Sequence, residues 1–147
     1  MSVTAALPAD WLLPDPTWSV SAGFWEGAQR SELCFPLCDS CGTYAWYPVP
    51  RCGVCGSDGF SWDVVEPVGC VYSFTVLRRA FLPQLVDRLP HGVVLVRFEH
   101  VPGVTLVSML AAGEDPGTLE VDQPVEIVFE TAGEGGMRLP CVRRTAN

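Results

Sequence analysis

The sequence predicts a mainly β chain: one helix near the N-terminus, a cysteine-built metal ribbon after it, and a small five-stranded barrel filling the C-terminal half. Three observations lead there. Two Cys-x-x-Cys units, Cys38 to Cys41 and Cys52 to Cys55, are separated by ten residues, and each is followed by a glycine. From residue 61 onward, apolar residues recur with a period of two in one segment after another. Helical spacing is confined to one stretch, Ser19 to Leu33.

Residues 1–18 carry Pro8, Pro14 and Pro16 with Trp11 and Trp18 between them, an extended arm expected to dock by its aromatics. In Ser19 to Leu33, Val20, Phe24 and Ala28 share one helical face and Glu26 to Arg30 forms an i,i+4 pair, although Gly23 and Gly27 weaken the helix. Val68, Cys70, Tyr72, Phe74 and Val76 alternate with Gly69, Val71, Ser73, Thr75 and Leu77 and are expected to form the inward face of the first barrel strand. His91 to Glu99, Val104 to Leu110, Val125 to Glu130 and Met137 to Arg143 supply four more strands, with Val125, Ile127 and Phe129 inward. Gly113 to Glu120 is a polar connector with room for one helical turn. Five strands broken after the third fit a Greek-key barrel of the oligonucleotide/oligosaccharide-binding (OB) kind; a five-stranded sandwich fragment fits the same count. The domain division is 1–33 for arm and helix, 34–62 for the ribbon and 63–147 for the barrel.

The cysteine pattern carries the sharpest chemical statement. A Cys-x-x-Cys turn presents two thiolates on one side of a tight knuckle, and the glycine after it supplies the positive φ the turn needs. Two facing knuckles put Cys38, Cys41, Cys52 and Cys55 at the corners of a tetrahedron, the closed geometry of a structural zinc ion. Four sulfurs leave no open coordination position, which disfavours chemistry at the metal. Sulfur ligation alone also suits iron in a rubredoxin-like site. The spacer Gly42 to Arg51 is long enough for a short hairpin around Tyr44, Trp46 and Tyr47. Redox pairs of the thioredoxin kind need a helix after the motif, and neither unit has one. Cys34, Cys70 and Cys141 are left over, Cys70 and Cys141 being read as buried small hydrophobes in strands.

Composition narrows the function. With 147 residues, 48% of them hydrophobic, the chain is long enough to pack a core. A net charge of −8 argues against phosphate backbones and against anionic lipid surfaces. No apolar run of membrane-spanning length occurs, and Met1 to Asp10 lacks the basic start and apolar core of a secretion signal, so the cytoplasm is the default location. The two histidines, His91 and His100, read as turn residues rather than general bases, and no phosphate-binding glycine loop is present. No catalytic residue is assigned. The segment Arg78 to His91 differs from its surroundings: Arg78, Arg79 and Arg88 stand among Phe81, Leu82, Leu85, Val86 and Leu89. Long inter-strand loops often carry function. This one is expected either to fold back on the barrel or to meet a partner protein or an acyl-CoA-like anion with a greasy tail, through Arg78, Arg79, Phe81, Leu82, Leu85 and Arg88.

Taken together, several of these segments carry a family resemblance. They are Phe24-Trp25-Glu26-Gly27, Cys38-Asp-Ser-Cys41-Gly42, Tyr47-Pro48-x-Pro50-Arg51-Cys52, Cys55-Gly56-Ser57, the strand around Trp62, Gly69-x-Val71-Tyr72-Ser73-Phe74-Thr75-Val76, and Val125-Glu126-Ile127-Val128-Phe129-Glu130. Over residues 20–143 the chain resembles the zinc-ribbon plus OB-fold proteins associated with acyl-CoA and thiolase-like enzymes. The resemblance implies a rubredoxin-like zinc ribbon ahead of an OB barrel, with one structural zinc ion. It also implies a non-catalytic subunit that binds a thiolase-like enzyme acting on carbon–carbon bonds of acyl-CoA thioesters. The family's settings include retro-aldol cleavage of steroid side-chain thioesters, a bridge between acetoacetyl-CoA thiolase and hydroxymethylglutaryl-CoA synthase, and acylation of phloroglucinols. The loop Phe81 to Leu89 departs from relatives that carry more proline and glycine there. Two other readings come from the residues alone: an OB-fold binder of single-stranded nucleic acid, stacking bases on Tyr72 and Phe74, and a rubredoxin-like electron carrier.

Overall fold

The computed structural model describes residues 7–133 and 135–145. The first six residues of the predicted arm and the last two of the predicted barrel lie outside them. One helix, α1 (Ala22–Gln29), precedes a two-stranded antiparallel sheet of β1 (Leu33–Cys38) and β2 (Phe60–Val65). Five strands then close into a barrel: β3 (Val68–Leu77), β4 (His91–Arg97), β5 (Thr105–Leu110), β6 (Pro124–Ala132) and β7 (Met137–Arg144). Around the barrel the order is β3-β4-β5-β7-β6, and the β6–β3 pairing closes it. All pairings are antiparallel except the short parallel β5–β7 contact. This is the OB-type Greek key, and the sandwich alternative falls away because the sheet closes on itself. Among the described residues, no helix is long and apolar enough to cross a membrane.

The helix is shorter than its periodicity suggests. Ser31 takes a left-handed φ of 59°, its N–H donates to the Ala28 carbonyl, and the Glu32 N–H reaches back to the Gly27 carbonyl at 2.9 Å. That double bond is a Schellman stop. It turns Leu33 out of the helix and into β1, and it brings Arg30 to Glu32 (3.2 Å) instead of the expected Glu26. The glycines that weaken the helix on paper are there for packing. A Cβ on Gly23 would lie 2.2 Å from the Trp62 ring, and one on Gly27 would lie 2.5 Å from Cys34 Sγ. Helix and ribbon touch because nothing stands between them.

The ribbon also differs from expectation in its spacer. Tyr44 makes a single bridge to Leu37, and no hairpin forms within Gly42 to Arg51. The strand partner of β1 comes instead from after the second knuckle, with Leu33 opposite Val65 and Cys38 opposite Phe60.

In β3 the inward face is not the predicted one. Val71 is fully buried, whereas Tyr72 and Val68 are exposed. The register against β4 shifts between Val71 and Ser73, so a bulge changes which residues face the core, and Phe74 packs inward only after it. A period-two reading without a bulge puts the whole strand on one face. The barrel interior is filled by Val71, Val94, Val96, Leu106, Val125, Ile127 and Val142, all nearly or fully buried. Phe35 of β1 joins ribbon to barrel. It is fully buried, with its ring 5.5 Å from Phe98 and 5.0 Å from Trp46.

Candidate metal centre

The two knuckles are built alike. In the first, the Gly42 N–H donates to the Cys38 carbonyl (2.9 Å) and the Cys38 N–H to the Thr43 carbonyl (2.9 Å). In the second, Gly56 N–H donates to the Cys52 carbonyl (2.9 Å) and Cys52 N–H to the Ser57 carbonyl (2.7 Å). Both glycines sit at positive φ, +72° for Gly42 and +76° for Gly56, where a side chain would be strained. The knuckles are tied to one another by Ser40 and Ser57 hydroxyls at 3.0 Å, and to β2 by Ser61, which donates to Asp39 at 2.5 Å.

The result is a cluster of four sulfurs within 4.8 Å of one another. Cys38 and Cys55 Sγ are 3.5 Å apart, and Cys41 and Cys52 Sγ are 3.6 Å apart. Disulfides need about 2.05 Å, and all four thiols are free. A tetrahedral zinc with Zn–S near 2.3 Å would space its sulfurs at about 3.8 Å, so this donor set fits a zinc-sized ion. Electrostatics point the same way. The Thr43 hydroxyl and backbone stabilise the Cys41 thiolate and lower its pKa to about 6. Cys55 is pulled down by the Ser57 backbone, but the neighbouring Cys38, Cys41 and Cys52 sulfurs, with some loss of hydration, outweigh it and raise it to about 12. Four thiolates this close repel, and a bound cation removes that repulsion. The Val54 N–H donates toward Cys52 Sγ at 3.4 Å, the outer hydrogen bonding that steadies a thiolate ligand. A metal ion here would cross-link two loops that share little apolar surface of their own.

The remaining cysteines and histidines are placed structurally. Cys34 and Cys141 are buried, and burial pushes both thiols up. Cys70 is only half-buried. His91 is not a turn residue. It is buried at the start of β4 with its ring 6.4 Å from Trp11, and burial together with Arg88 lowers its pKa. His100 is exposed and its Nε2 lies 3.1 Å from the Glu66 carbonyl oxygen.

Of the six loop residues singled out by sequence, two turn inward. Leu85 is buried under a short 3₁₀ turn, Pro83–Arg88, and the Arg88 guanidinium lies over the Trp11 ring at 5.2 Å. Arg78, Arg79, Phe81 and Leu82 remain on the surface. A roomy apolar opening lies elsewhere. A groove of about 600 Å³ runs between the arm, α1, the ribbon spacer and β5, lined by Trp18, Trp25, Trp46 and Tyr47 among others. Its residues are scattered from Pro14 to Pro140, and no local sequence signal groups them.

Residues 25–61 match the rubredoxin-like zinc ribbon domain of ChsH2, and residues 62–130 match the C-terminal OB-fold domain of ChsH2. A chain of the Ltp2-ChsH2(DUF35) aldolase is 27% identical, with a TM-score of 0.79 over 90% of this chain and 100% of that one. A DUF35-family protein of unknown function from Sulfolobus solfataricus shares the fold at 18% identity and a TM-score of 0.56, over 77% of this chain and 80% of its own. No curated protein matches the chain.

Proposed function

The chain belongs to the ChsH2 family of zinc-ribbon and OB-fold proteins, and from that premise we propose that it is the accessory subunit of a thiolase-like, aldolase-type enzyme. Its partner makes or breaks a carbon–carbon bond in an acyl-CoA thioester, with steroid side chains or other lipids as the substrate class. The observation that carries this reading is the likeness to the Ltp2-ChsH2(DUF35) aldolase chain, which spans that chain's full length. The site chemistry supports it. The four-sulfur centre is closed, and the only two histidines are one buried against Trp11 and one exposed beside a backbone carbonyl. Among the described residues, His100 meets a backbone carbonyl and His91 meets an aromatic ring, neither of them a nucleophile that a general base could activate.

The ion of this reading is a single structural zinc held by Cys38, Cys41, Cys52 and Cys55, and it acts as a cross-link. Ribbon 34–62 and barrel 63–147 behave as one body through Phe35, and the location is the cytoplasm. The nucleic-acid reading gains an exposed Tyr72 but has Phe74 packed into the core and a charge of −8 against it.

The test is co-expression with an aldolase-type enzyme encoded beside this chain, followed by mass measurement of the purified species. A stable complex of fixed stoichiometry is expected. Two proteins that elute separately at micromolar concentration would defeat the reading.

A further inference from the structure

We infer that the outward face of the loop Arg78 to Val86, with Leu12 of the arm, is the docking surface for the partner enzyme, and that it fits an apolar patch on that enzyme rimmed by carboxylates. This rests on the accessory-subunit reading and deepens it. All nine cationic side chains of the protein are arginines. Among the described residues the ion pairs use Arg30, Arg97, Arg143 and Arg144. Arg78 and Arg79 are exposed and take part in none of them. In a chain of net charge −8, two adjacent uncommitted arginines make a local positive field that a carboxylate-bearing surface complements.

The arginines border exposed apolar side chains. Phe81 is 77% exposed, and Val86, Leu82 and Leu12 are also exposed. Leu12 and Leu82 line one shallow apolar recess with Trp11. The surface is held in place from beneath. Leu85 is buried, the Gln84 side chain donates to the Asp10 carbonyl at 3.0 Å, and Arg88 lies on Trp11. A loop anchored at three points while presenting Phe81 outward is ordered before it binds, which lowers the entropic cost of association. Aromatic and arginine side chains are the residue types enriched at interfaces.

A protein face is the occupant favoured by shape. Neither Arg78 nor Arg79 lines the 600 Å³ groove or the recess beside Leu82, so neither of these concavities uses the pair to enclose a small anion. Two arginines also fall short of the polybasic clusters that hold anionic membranes.

The experiment measures the dissociation constant of the full-length chain for its aldolase-type partner at low and moderate salt. Variants are Phe81→Ala, the double substitution R78E/R79E, and Val121→Ser as an exposed apolar control on another loop. Phe81→Ala should weaken binding by at least about tenfold. R78E/R79E should slow association and flatten its salt dependence, and Val121→Ser should stay within about twofold. All the substituted side chains are exposed, so melting temperatures should match the wild type. Loop variants that bind within twofold of wild type, while wild type binds, overturn this surface and leave the subunit reading intact. Loss of binding in Trp18→Ala with the loop variants unaffected moves docking to the groove and also overturns it. Self-association of the isolated chain that R78E/R79E abolishes, or coenzyme A binding that depends on Arg78 and Arg79 without any effect on protein binding, would each replace it. A wild-type chain that binds no such enzyme removes the subunit reading, and this surface with it.

Discussion

Replacing Cys41 with serine should empty the metal site and unfold the segment between the knuckles. A structural zinc site supplies roughly 10–16 kcal/mol of apparent binding free energy in small peptides, comparable to the whole stability of an ordinary domain of about 5–15 kcal/mol. Little else holds residues 39–59 together. Beyond the knuckle bonds they have one β-bridge at Tyr44, a few short side-chain contacts, and the ring packing of Trp46 and Tyr47. The expected result is loss of bound zinc by elemental analysis, new protease cleavage within 39–59, and a lower melting temperature for the barrel, since Trp46 packs on its core. Cys52→Ser should behave the same way, because the second knuckle contributes equally to the cluster. Full metal content and unchanged melting in both variants would contradict a structural role.

Phe35→Ala should be the most damaging core substitution. The ring is fully buried where three units meet, with Phe24 of α1 at 6.4 Å, Trp46 of the ribbon at 5.0 Å and Phe98 of the barrel side at 5.5 Å. Removing it deletes the apolar contact and leaves a cavity that none of the three can close alone, at a cost of about 3–5 kcal/mol. For a chain of this size that lowers Tm by roughly 10 °C or more. Zinc content should stay at the wild-type level, because the knuckles hold their sulfurs through their own turns. A melting curve like the wild type's would mean that ribbon and barrel are not coupled through this ring.

How far the sequence carries depends on whether the determining interaction is local. The knuckles are local: each needs four residues and a glycine, and Gly42 and Gly56 supply the positive φ directly. The barrel is also legible, because alternating apolar residues mark where each strand runs and the Gly113 to Glu120 connector forms its one helical turn at Pro116–Thr118. The errors occur where distant partners decide. Helix α1 ends early because Ser31 accepts a left-handed turn that propensity alone does not announce. Gly23 and Gly27 look like helix weakeners until Trp62 and Cys34 are seen against them. Period-two alternation misplaces the β3 face because a bulge between Val71 and Ser73 shifts its register against β4. His91 reads as a turn residue in the sequence because Trp11, which packs on it, is eighty positions away. For the loop, composition pointed to Arg78 to Arg88 as a group. Only the fold separates the inward anchors Leu85 and Arg88 from the outward Arg78, Arg79 and Phe81.

If this chain serves another protein's active site, as proposed, the deciding measurement is turnover of an acyl-CoA thioester by the aldolase-type partner, titrated with this chain. The zinc-loaded chain alone should give no turnover, and partner activity should rise and saturate at the stoichiometry of the complex. Turnover by the chain alone, or partner activity identical with and without it, would overturn the accessory-subunit role.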